Sequence, residues 1–458
     1  MFGTFLKYKF GELLMPNTTH SVSRYNTISE TAQHCVAFNA RTGTFIKLNE
    51  QAFAVLKGIK PIEELTFDDC KELENGGFIV NFDELKAIQS AAFLEKKSLG
   101  ICSHLVITPT IKCNFRCPYC DQNNMRSATS MTEETLDAIA SIFKQKNDLI
   151  NIEMVTWYGG EPLLEIDKIE RFLRGSGAFL NSKNIRQIMI TNATLLTKKV
   201  VERLISLNIM TVQVTIDALV YINGLKRGAI LANHDPSPIM INLLEAERAG
   251  LNVIARINVD ENTATKIPEI RSALKKNGFV GTIYEERVES FNEDRNEKDR
   301  VSSSCSKILP SSSTVDRAAY AEQIKAAMLS RNNIKNTMNQ LKPKFHTCGA
   351  TKLSMLVCSP DGNVSRCWNS VGLNDESFAN INDNDFLTKL DSDLESSVWA
   401  KYSPLKHDDC ATCKMLPLCM GACSYSRNML GSDEPPCPSL KFIFPEVVDH
   451  ISQRLDFE

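Results

Sequence analysis

Three cysteines, Cys113, Cys117 and Cys120, stand within eight residues of one another in the stretch IKCNFRCPYC. Thiolates bind zinc and iron-sulfur clusters, and a closed structural site normally takes four protein ligands. Three thiols on one loop therefore indicate a cluster in which one iron stays open to an exchangeable ligand. The alternative is a zinc site that takes its fourth ligand from a distant part of the chain.

A second group of cysteines lies near the carboxyl end, where residues 345–458 contain eight of the 15 cysteines. A disulfide framework explains such density in small secreted domains, but this chain has 458 residues and its first residues contain no cleavable signal sequence. Metal or cluster ligation is the better interpretation, and a zinc ribbon would use a simpler CxxC pair. These eight are Cys348, Cys358, Cys367, Cys410, Cys413, Cys419, Cys423 and Cys437.

The first cysteine group follows the first of six predicted strands, which alternate with helical stretches. Strands buried on both faces and separated by helices predict an α/β fold with a parallel sheet and right-handed crossovers, either open or curled into a partial barrel. In such folds the functional residues follow the carboxyl ends of the strands. The predicted strands are 105–109, 152–158, 186–191, 210–217, 252–259 and 281–286.

The remaining chain divides into a small amino-terminal region, a linker and the cysteine-rich end. Residues 33–47 predict a hairpin around an Arg-Thr-Gly turn, and two helices and a strand complete a winged-helix pattern. After residue 288 the sequence is polar and Ser-rich, and one long helix is predicted to follow it. The predicted divisions are 1–98, 99–288, 289–344, 345–446 and a tail, 447–458.

The CxxxCxxC spacing of the first group resembles that of the radical S-adenosylmethionine (SAM) enzymes. The resemblance implies a partial (β/α)6 barrel and a [4Fe-4S] cluster on Cys113, Cys117 and Cys120, whose open iron binds SAM. One electron then cleaves SAM to a 5'-deoxyadenosyl radical, which abstracts a substrate hydrogen. The stretches WYGGEP, TNATLL, VTIDA and ARINV, at or after successive strands, also resemble SAM contacts of the family.

By this resemblance, Tyr119 contacts the adenine, Gly160 and Glu161 the amino group, and Thr215 a ribose or carboxylate oxygen. Glycines let the backbone approach a ligand closely, and a glutamate pairs with an ammonium. Arg227 stands where sulfatase-maturing relatives place an arginine on the SAM carboxylate, although IDALVYINGLKR departs from their usual IDGP. The predicted cofactor-binding residues are Tyr119, Gly159, Gly160, Glu161, Asn192, Thr215, Asp217, Arg227 and Arg256.

The carboxyl-terminal cysteines resemble the seven-cysteine pattern of the SPASM domain, which holds two auxiliary [4Fe-4S] clusters and carries a hairpin within SPDGNVSRC. Cys358 is extra, and is either a fourth ligand of the first auxiliary cluster or a buried strand thiol. Cys35, Cys70, Cys102 and Cys305 fit no spacing and are interpreted as buried or incidental thiols. The resemblance assigns Cys348, Cys367 and Cys423 to the first auxiliary cluster, and Cys410, Cys413, Cys419 and Cys437 to the second.

SPASM proteins act largely on peptides, and the amino-terminal region resembles a PqqD-like peptide-recognition element. In such elements a leader peptide adds a strand to a sheet edge. We therefore expect a peptide maturase, an oxidoreductase that forms a thioether, carbon-carbon or carbon-oxygen crosslink, with the auxiliary clusters accepting the electron. A flavodoxin or ferredoxin is the expected electron donor. Glu285 and Glu286, at the end of the sixth strand, are the candidate catalytic residues.

Three alternatives stay open: a sulfatase-maturing enzyme, a small-molecule dehydrogenase of the same superfamily, and a non-catalytic metal-binding scaffold. Lys and Arg total 52 against 55 Asp and Glu, a formal net charge of -3. This balance gives no electrostatic reason to expect nucleic acid or an anionic membrane as a partner. No run of about 18 apolar residues is present, so we expect a cytoplasmic protein that does not span a membrane.

Overall fold

The structure is a computed structural model, and it describes most of the chain between residues 19 and 455. Tyr119, Arg227 and Cys305 lie outside the described residues, and of Asp217 only the backbone is described. The described ranges are 19–30, 35–98, 102–115, 117, 120, 122, 129–144, 150–182, 184–217, 238–259, 264–288, 316–330, 334–429 and 435–455.

A mostly parallel sheet forms the centre of the molecule, and the predicted fold class is confirmed. Its six parallel strands lie side by side in chain order, as right-handed β-α-β repeats require. Each one coincides with a predicted strand to within three residues at either end. They are β6 (Cys102–Thr110), β7 (Ile150–Gly159), β8 (Arg186–Thr191), β9 (Thr211–Asp217), β10 (Asn252–Val259) and β11 (Thr282–Arg287).

Helices between these strands pack one apolar face against the sheet. In the helix Ile166–Arg174, the buried residues Ile166, Ile169, Phe172 and Leu173 recur at helical spacing, and the charged residues face outward. Apolar side chains from the helices and the strands form the largest core of the molecule. The helices of this part are Glu133–Lys144, Ile166–Arg174, Lys198–Ser206, Pro238–Arg248 and Ile267–Lys276.

The cysteine-rich region extends the same sheet instead of forming a separate one. Strand β12 (Met355–Cys358) pairs in parallel with β6, and it is followed by the antiparallel strands β13 (Asn363–Ser365) and β14 (Ala379–Asn380). The predicted hairpin lies between β12 and β13, where Gly362 has a φ of 85° that favours glycine. The helices of this region are Gly349–Lys352, Phe386–Ser396, Val398–Lys401, Asp408–Ala411, Leu416–Cys419, Ser424–Asn428 and Phe444–Ser452.

The amino-terminal region contains the predicted hairpin, β3 (Cys35–Asn39) and β4 (Thr44–Leu48), with Gly43 at a φ of 70° in its turn. A further strand, β2 (Asn26–Glu30), pairs with β3, and a two-stranded sheet joins β1 (Ser21–Val22) to β5 (Ile79–Val80). The helices here are Glu50–Leu56, Phe67–Gly76 and Glu84–Ser98.

One buried cluster joins this amino-terminal region to the carboxyl-terminal one. It contains Tyr25, Phe38 and Ile88 together with Met415 and Phe444. The rings of Phe38 and Phe444 meet edge to face with centroids 6.0 Å apart. The two ends of the sequence therefore share a hydrophobic core.

The predicted long helix before the cysteine-rich region is instead two helices, Arg317–Met328 and Ile334–Gln340. The Thr337 hydroxyl donates a hydrogen bond of 2.8 Å to the Met328 carbonyl oxygen. Residues nine apart in one straight helix are about 13 Å apart along its axis, so this bond requires the chain to turn back. Within the described ranges, no helix is long and apolar enough to cross a membrane.

Candidate active site and cysteine sites

A cavity of about 490 Å³, called here the central cavity, opens at the carboxyl ends of the parallel strands. This volume lies within the usual range for small-molecule sites, about 300–1,000 Å³. The cavity contains the three cysteines of the first group and residues from the ends of five strands. Of the predicted site residues, Cys113, Cys117, Cys120, Gly159, Gly160, Asn192, Thr215, Arg256 and Glu286 line it.

Gly159 and Gly160 bring the second strand end against the segment that leads into the cysteine loop. A Cβ atom on Gly160 would collide with the backbone oxygens of Ile111 and Lys112, and one on Gly159 with that of Thr110. The Gly160 amide donates to the Thr110 carbonyl oxygen at 3.0 Å, and the Glu161 amide to that of Lys112 at 2.8 Å. The glycines thus allow close backbone packing that positions Cys113, besides leaving space for a ligand.

Glu161 is fully buried behind the cavity wall. Its carboxylate accepts hydrogen bonds from the Thr191 hydroxyl at 2.8 Å, the Asn192 amide at 2.8 Å and the Leu163 amide at 3.0 Å. The Asn192 side-chain amide lies 3.9 Å from Cys113 Sγ. Glu161 therefore fixes the turn after β8 and, through Asn192, the environment of Cys113, while its predicted contact with the SAM ammonium stays a prediction.

Glu285 and Glu286 point in opposite directions, as adjacent residues of a strand must. Glu286 lines the central cavity. Glu285 instead forms an ion pair with Arg271 of the helix Ile267–Lys276, and the Arg271 Nη2 to Glu285 Oε2 distance is 2.8 Å. Only one of the two candidate carboxylates is placed to act on a molecule in the cavity.

Arg256 lines the same wall, and its Nε is buried with no hydrogen-bond partner among the described residues. A buried guanidinium nitrogen without a partner is costly, so an acceptor from a bound molecule would stabilise it. This position suits a carboxylate or a ribose oxygen of a ligand.

Among the described residues, thirteen more line the cavity wall and were not predicted, and six of these lie on β9, β10 and β11 or in the cysteine-rich region. Gln213, Asn258 and Tyr284 lie two residues from Thr215, Arg256 and Glu286 on β9, β10 and β11, so period-two alternation could have found them. Arg287, the fourth of these residues, is the last residue of β11. Trp368 and Asn369 come from the cysteine-rich region, and no local sequence signal identifies them. The Trp368 ring lies beside that of Tyr158, with centroids 5.7 Å apart.

Cys348, Cys367 and Cys423 lie near one another on one side of the extended sheet. Burial raises the pKa of Cys367, and negative charge at Cys348 and Cys423 raises it further. The Cys348 sulfur is 4.0 Å from the hydroxyl of Ser424, the neighbour of Cys423. This grouping fits the ligand set assigned to the first auxiliary cluster.

Cys358 faces the other side of that sheet. Along β12, Met355 and Val357 pack with Cys367, whereas Leu356 and Cys358 pack with Ile107 in the largest core of the molecule. Cys358 is fully buried, and burial raises its pKa. This placement favours the buried strand thiol over the cluster ligand.

Cys410, Cys413, Cys419 and Cys437 line a second, smaller cavity, called here the four-cysteine cavity. Among the described residues, no three His, Cys, Asp or Glu side chains are arranged to hold a single metal ion. Burial raises the pKa of Cys410 to about 12 and that of Cys419 to about 11. Four cysteines around one cavity are a donor set that suits a metal-containing group, which would bind them as thiolates.

Two donors near the four-cysteine cavity support this fit. The Lys441 ammonium donates to Cys437 Sγ at 3.2 Å. The buried Tyr402 hydroxyl has no partner among the described residues and lies against Gly421 of the cavity wall. Donors around the sulfurs are the usual surroundings of an iron-sulfur cluster.

Comparison with protein families matches residues 107–270 to the Radical SAM superfamily. This segment carries the three cysteines of the central cavity. It is a radical SAM domain. The match covers β7 to β10 and the helices between them, together with most of β6.

Curated relatives of the chain match mainly within the length of a radical SAM domain. The protein MJ0907 of Methanocaldococcus jannaschii is 31% identical over 116 residues, which cover 25% of this chain and 39% of MJ0907. GTP 3',8-cyclase of Brucella canis is 24% identical over 187 residues, 40% of this chain and 52% of the cyclase. The chain thus spans about half or less of the length of these relatives.

Solved structures with a similar fold extend beyond the radical SAM domain. The structure of anSMEcpe with bound AdoMet is 17% identical, with a TM-score of 0.56, and covers 77% of this chain and 96% of its own. Streptococcus suis SuiB bound to precursor peptide SuiA is also 17% identical, with a TM-score of 0.52, and covers 92% of this chain and 99% of its own. At these identities the likeness establishes the fold alone.

Proposed function

We propose that the chain is a radical SAM enzyme that modifies a ribosomally made precursor peptide by oxidative crosslinking. The observation that best supports this proposal is that one cavity at the carboxyl ends of the strands contains three thiols, a carboxylate and an arginine nitrogen without a partner among the described residues. An indole of the cysteine-rich region also lies at its wall. The cavity is large enough for a nucleotide and a side chain of a second molecule.

Cys113, Cys117 and Cys120 would hold the cluster, and Arg256 and Thr215 would bind oxygens of SAM. When bound, the cluster supplies one electron to SAM, and the resulting 5'-deoxyadenosyl radical removes a hydrogen atom from the substrate. Bond closure releases the second hydrogen as a proton, which the Glu286 carboxylate on the cavity wall can accept, and one electron, which an auxiliary cluster held by the carboxyl-terminal cysteines would accept. Asn192, held by Glu161, keeps the Cys113 sulfur oriented.

A peptide substrate is favoured by two structural likenesses. SuiB was solved with its precursor peptide SuiA, and anSMEcpe with peptides that include Cp18Cys. The SuiB likeness covers 92% of this chain and the anSMEcpe likeness 77%. A precursor peptide whose leader binds the amino-terminal region is therefore the preferred substrate class.

The test is co-expression with the peptide encoded by a neighbouring short reading frame, followed by mass spectrometry of that peptide. The expected product has lost two hydrogens, and its fragment spectrum lacks cleavage between the joined residues. The Cys113→Ala variant is the matched control and leaves the peptide unchanged.

The second candidate is a sulfatase-maturing enzyme, which the likeness to anSMEcpe supports. Oxidation of a serine to formylglycine also removes two hydrogens, so the intact mass does not separate the two reactions. An aldehyde reacts with hydroxylamine and leaves the backbone open to fragmentation, whereas a crosslink does neither. An oxime adduct on the product would favour the sulfatase-maturing alternative over crosslinking.

A further inference from the structure

The four-cysteine cavity lies next to a lysine that bonds directly to one of its sulfurs. Lys441 is half-buried, lines the cavity and donates to Cys437 Sγ at 3.2 Å. A hydrogen bond to a sulfur, and a positive charge beside it, both stabilise the added negative charge of a reduced iron-sulfur cluster.

Tyr25, from the amino-terminal region, lies in a buried cluster that extends to the cysteines of this cavity. Tyr25 is fully buried, and its hydroxyl has no hydrogen-bond partner among the described residues. It belongs to the same buried cluster as Cys410 and Met415, and Cys413 packs against that cluster. Burial raises the pKa of Tyr25 to about 12, so its hydroxyl keeps its proton and stays a donor near neutral pH.

A buried hydroxyl without an acceptor is destabilising. Tyr402 carries one against Gly421 of the cavity wall, and Tyr25 carries one in the buried cluster that includes Cys410. A sulfur-rich group held by the four cysteines would present the acceptors that these hydroxyls lack. The two hydroxyls come from opposite ends of the sequence.

We propose that Lys441 and Tyr25 are positioning residues for the second auxiliary cluster and raise its reduction potential, so that the amino-terminal region is part of that cluster's environment. This inference rests on the proposed radical SAM function and on the prediction from the sequence that Cys410, Cys413, Cys419 and Cys437 hold the second auxiliary cluster. Lys441 contributes charge and a donor, and Tyr25 contributes a neutral donor from across the shared core.

The test is a redox titration of the anaerobically reconstituted full chain, followed by electron paramagnetic resonance. The signal of this site is assigned as the one lost in the Cys410→Ala, Cys413→Ala double variant. Lys441→Met should lower its midpoint potential, Lys441→Arg should stay near the wild type, and Tyr25→Phe should shift it in the same direction by less.

Lys414→Met is the matched control, because Lys414 is exposed although it follows Cys413 directly in the sequence. In this variant the midpoint potential of the signal that depends on Cys410 and Cys413 should equal that of the wild type. An unchanged potential in both Lys441→Met and Tyr25→Phe, at wild-type iron content, would overturn the inference and leave the proposed function standing. If the wild type shows no signal that depends on Cys410 and Cys413, the assignment of this second auxiliary cluster fails instead.

Discussion

The two adjacent carboxylates at the end of β11, Glu285 and Glu286, face different surroundings. Glu286 faces the central cavity, and Glu285 is bound to Arg271. We predict that Glu286→Gln lowers product formation by about 100-fold, the usual contribution of a general base. Its SAM cleavage, measured as 5'-deoxyadenosine without peptide, should persist, since the glutamine keeps the shape of the wall.

Glu285→Gln is the matched control, one residue away. It weakens a partly buried ion pair and should cost about 1 kcal/mol of stability, with product formation close to the wild type. Equal losses of product in both variants would show that Glu286 acts through the strand and not on the substrate.

Residue types, their spacing and the resemblance to radical SAM enzymes were enough to predict nine residues of the cavity wall. The cysteine loop and Asn192, Thr215 and Arg256 all lie there. Glu161 is the instructive case, because its sequence position suggests a ligand contact, whereas its carboxylate accepts hydrogen bonds that hold the turn after β8. A single sequence gives the strand end at which a side chain sits, but not whether other protein groups occupy its atoms.

Gly160 is the residue on which the junction of two strand ends depends. We predict that Gly160→Ala costs about 2 kcal/mol or more, because its Cβ would meet the backbone of the segment before Cys113 and force it to move. Iron bound by the first cysteine group should fall with it. Iron analysis and thermal unfolding of the anaerobic protein measure both effects.

The control for that variant is Gly250→Ala, at a φ of 98° with no atom within 4 Å of the added Cβ. It introduces backbone strain of about 1–2 kcal/mol without a collision. Its iron content should match the wild type. Full iron in Gly160→Ala would show that the loop adapts to the extra carbon.

Secondary structure elements were predictable where their pattern is local. The six parallel strands alternate with helical stretches along the chain, and each was located within three residues. The pairing of β12 with β6 was not predictable, because Met355–Cys358 is four residues long and its partner lies about 250 residues earlier. That pairing decides which face Cys358 occupies, so its role could not be read from spacing.

The whole molecule is organised around the core shared by its two ends. Tyr25, Phe38 and Ile88 pack with Met415 and Phe444. We predict that deletion of residues 1–98 exposes this apolar surface, so that the truncated chain aggregates and loses iron from the four-cysteine cavity. Size-exclusion chromatography and iron analysis measure the two outcomes.

Phe67→Ala is the control for that truncation, since Phe67 is 81% exposed in the amino-terminal region and contributes little to the core. It should leave both size and iron content unchanged. A monodisperse truncated chain with full iron would show that the two ends fold independently, and that the amino-terminal region serves binding alone.

We propose that the three cysteines of the central cavity support reductive cleavage of SAM. The most direct measurement is 5'-deoxyadenosine formed by the anaerobically reconstituted chain with SAM and dithionite, quantified by mass spectrometry. We expect 5'-deoxyadenosine from the wild type and none above background from Cys113→Ala. No product from a wild type with full iron content, or equal product from the variant, would contradict it.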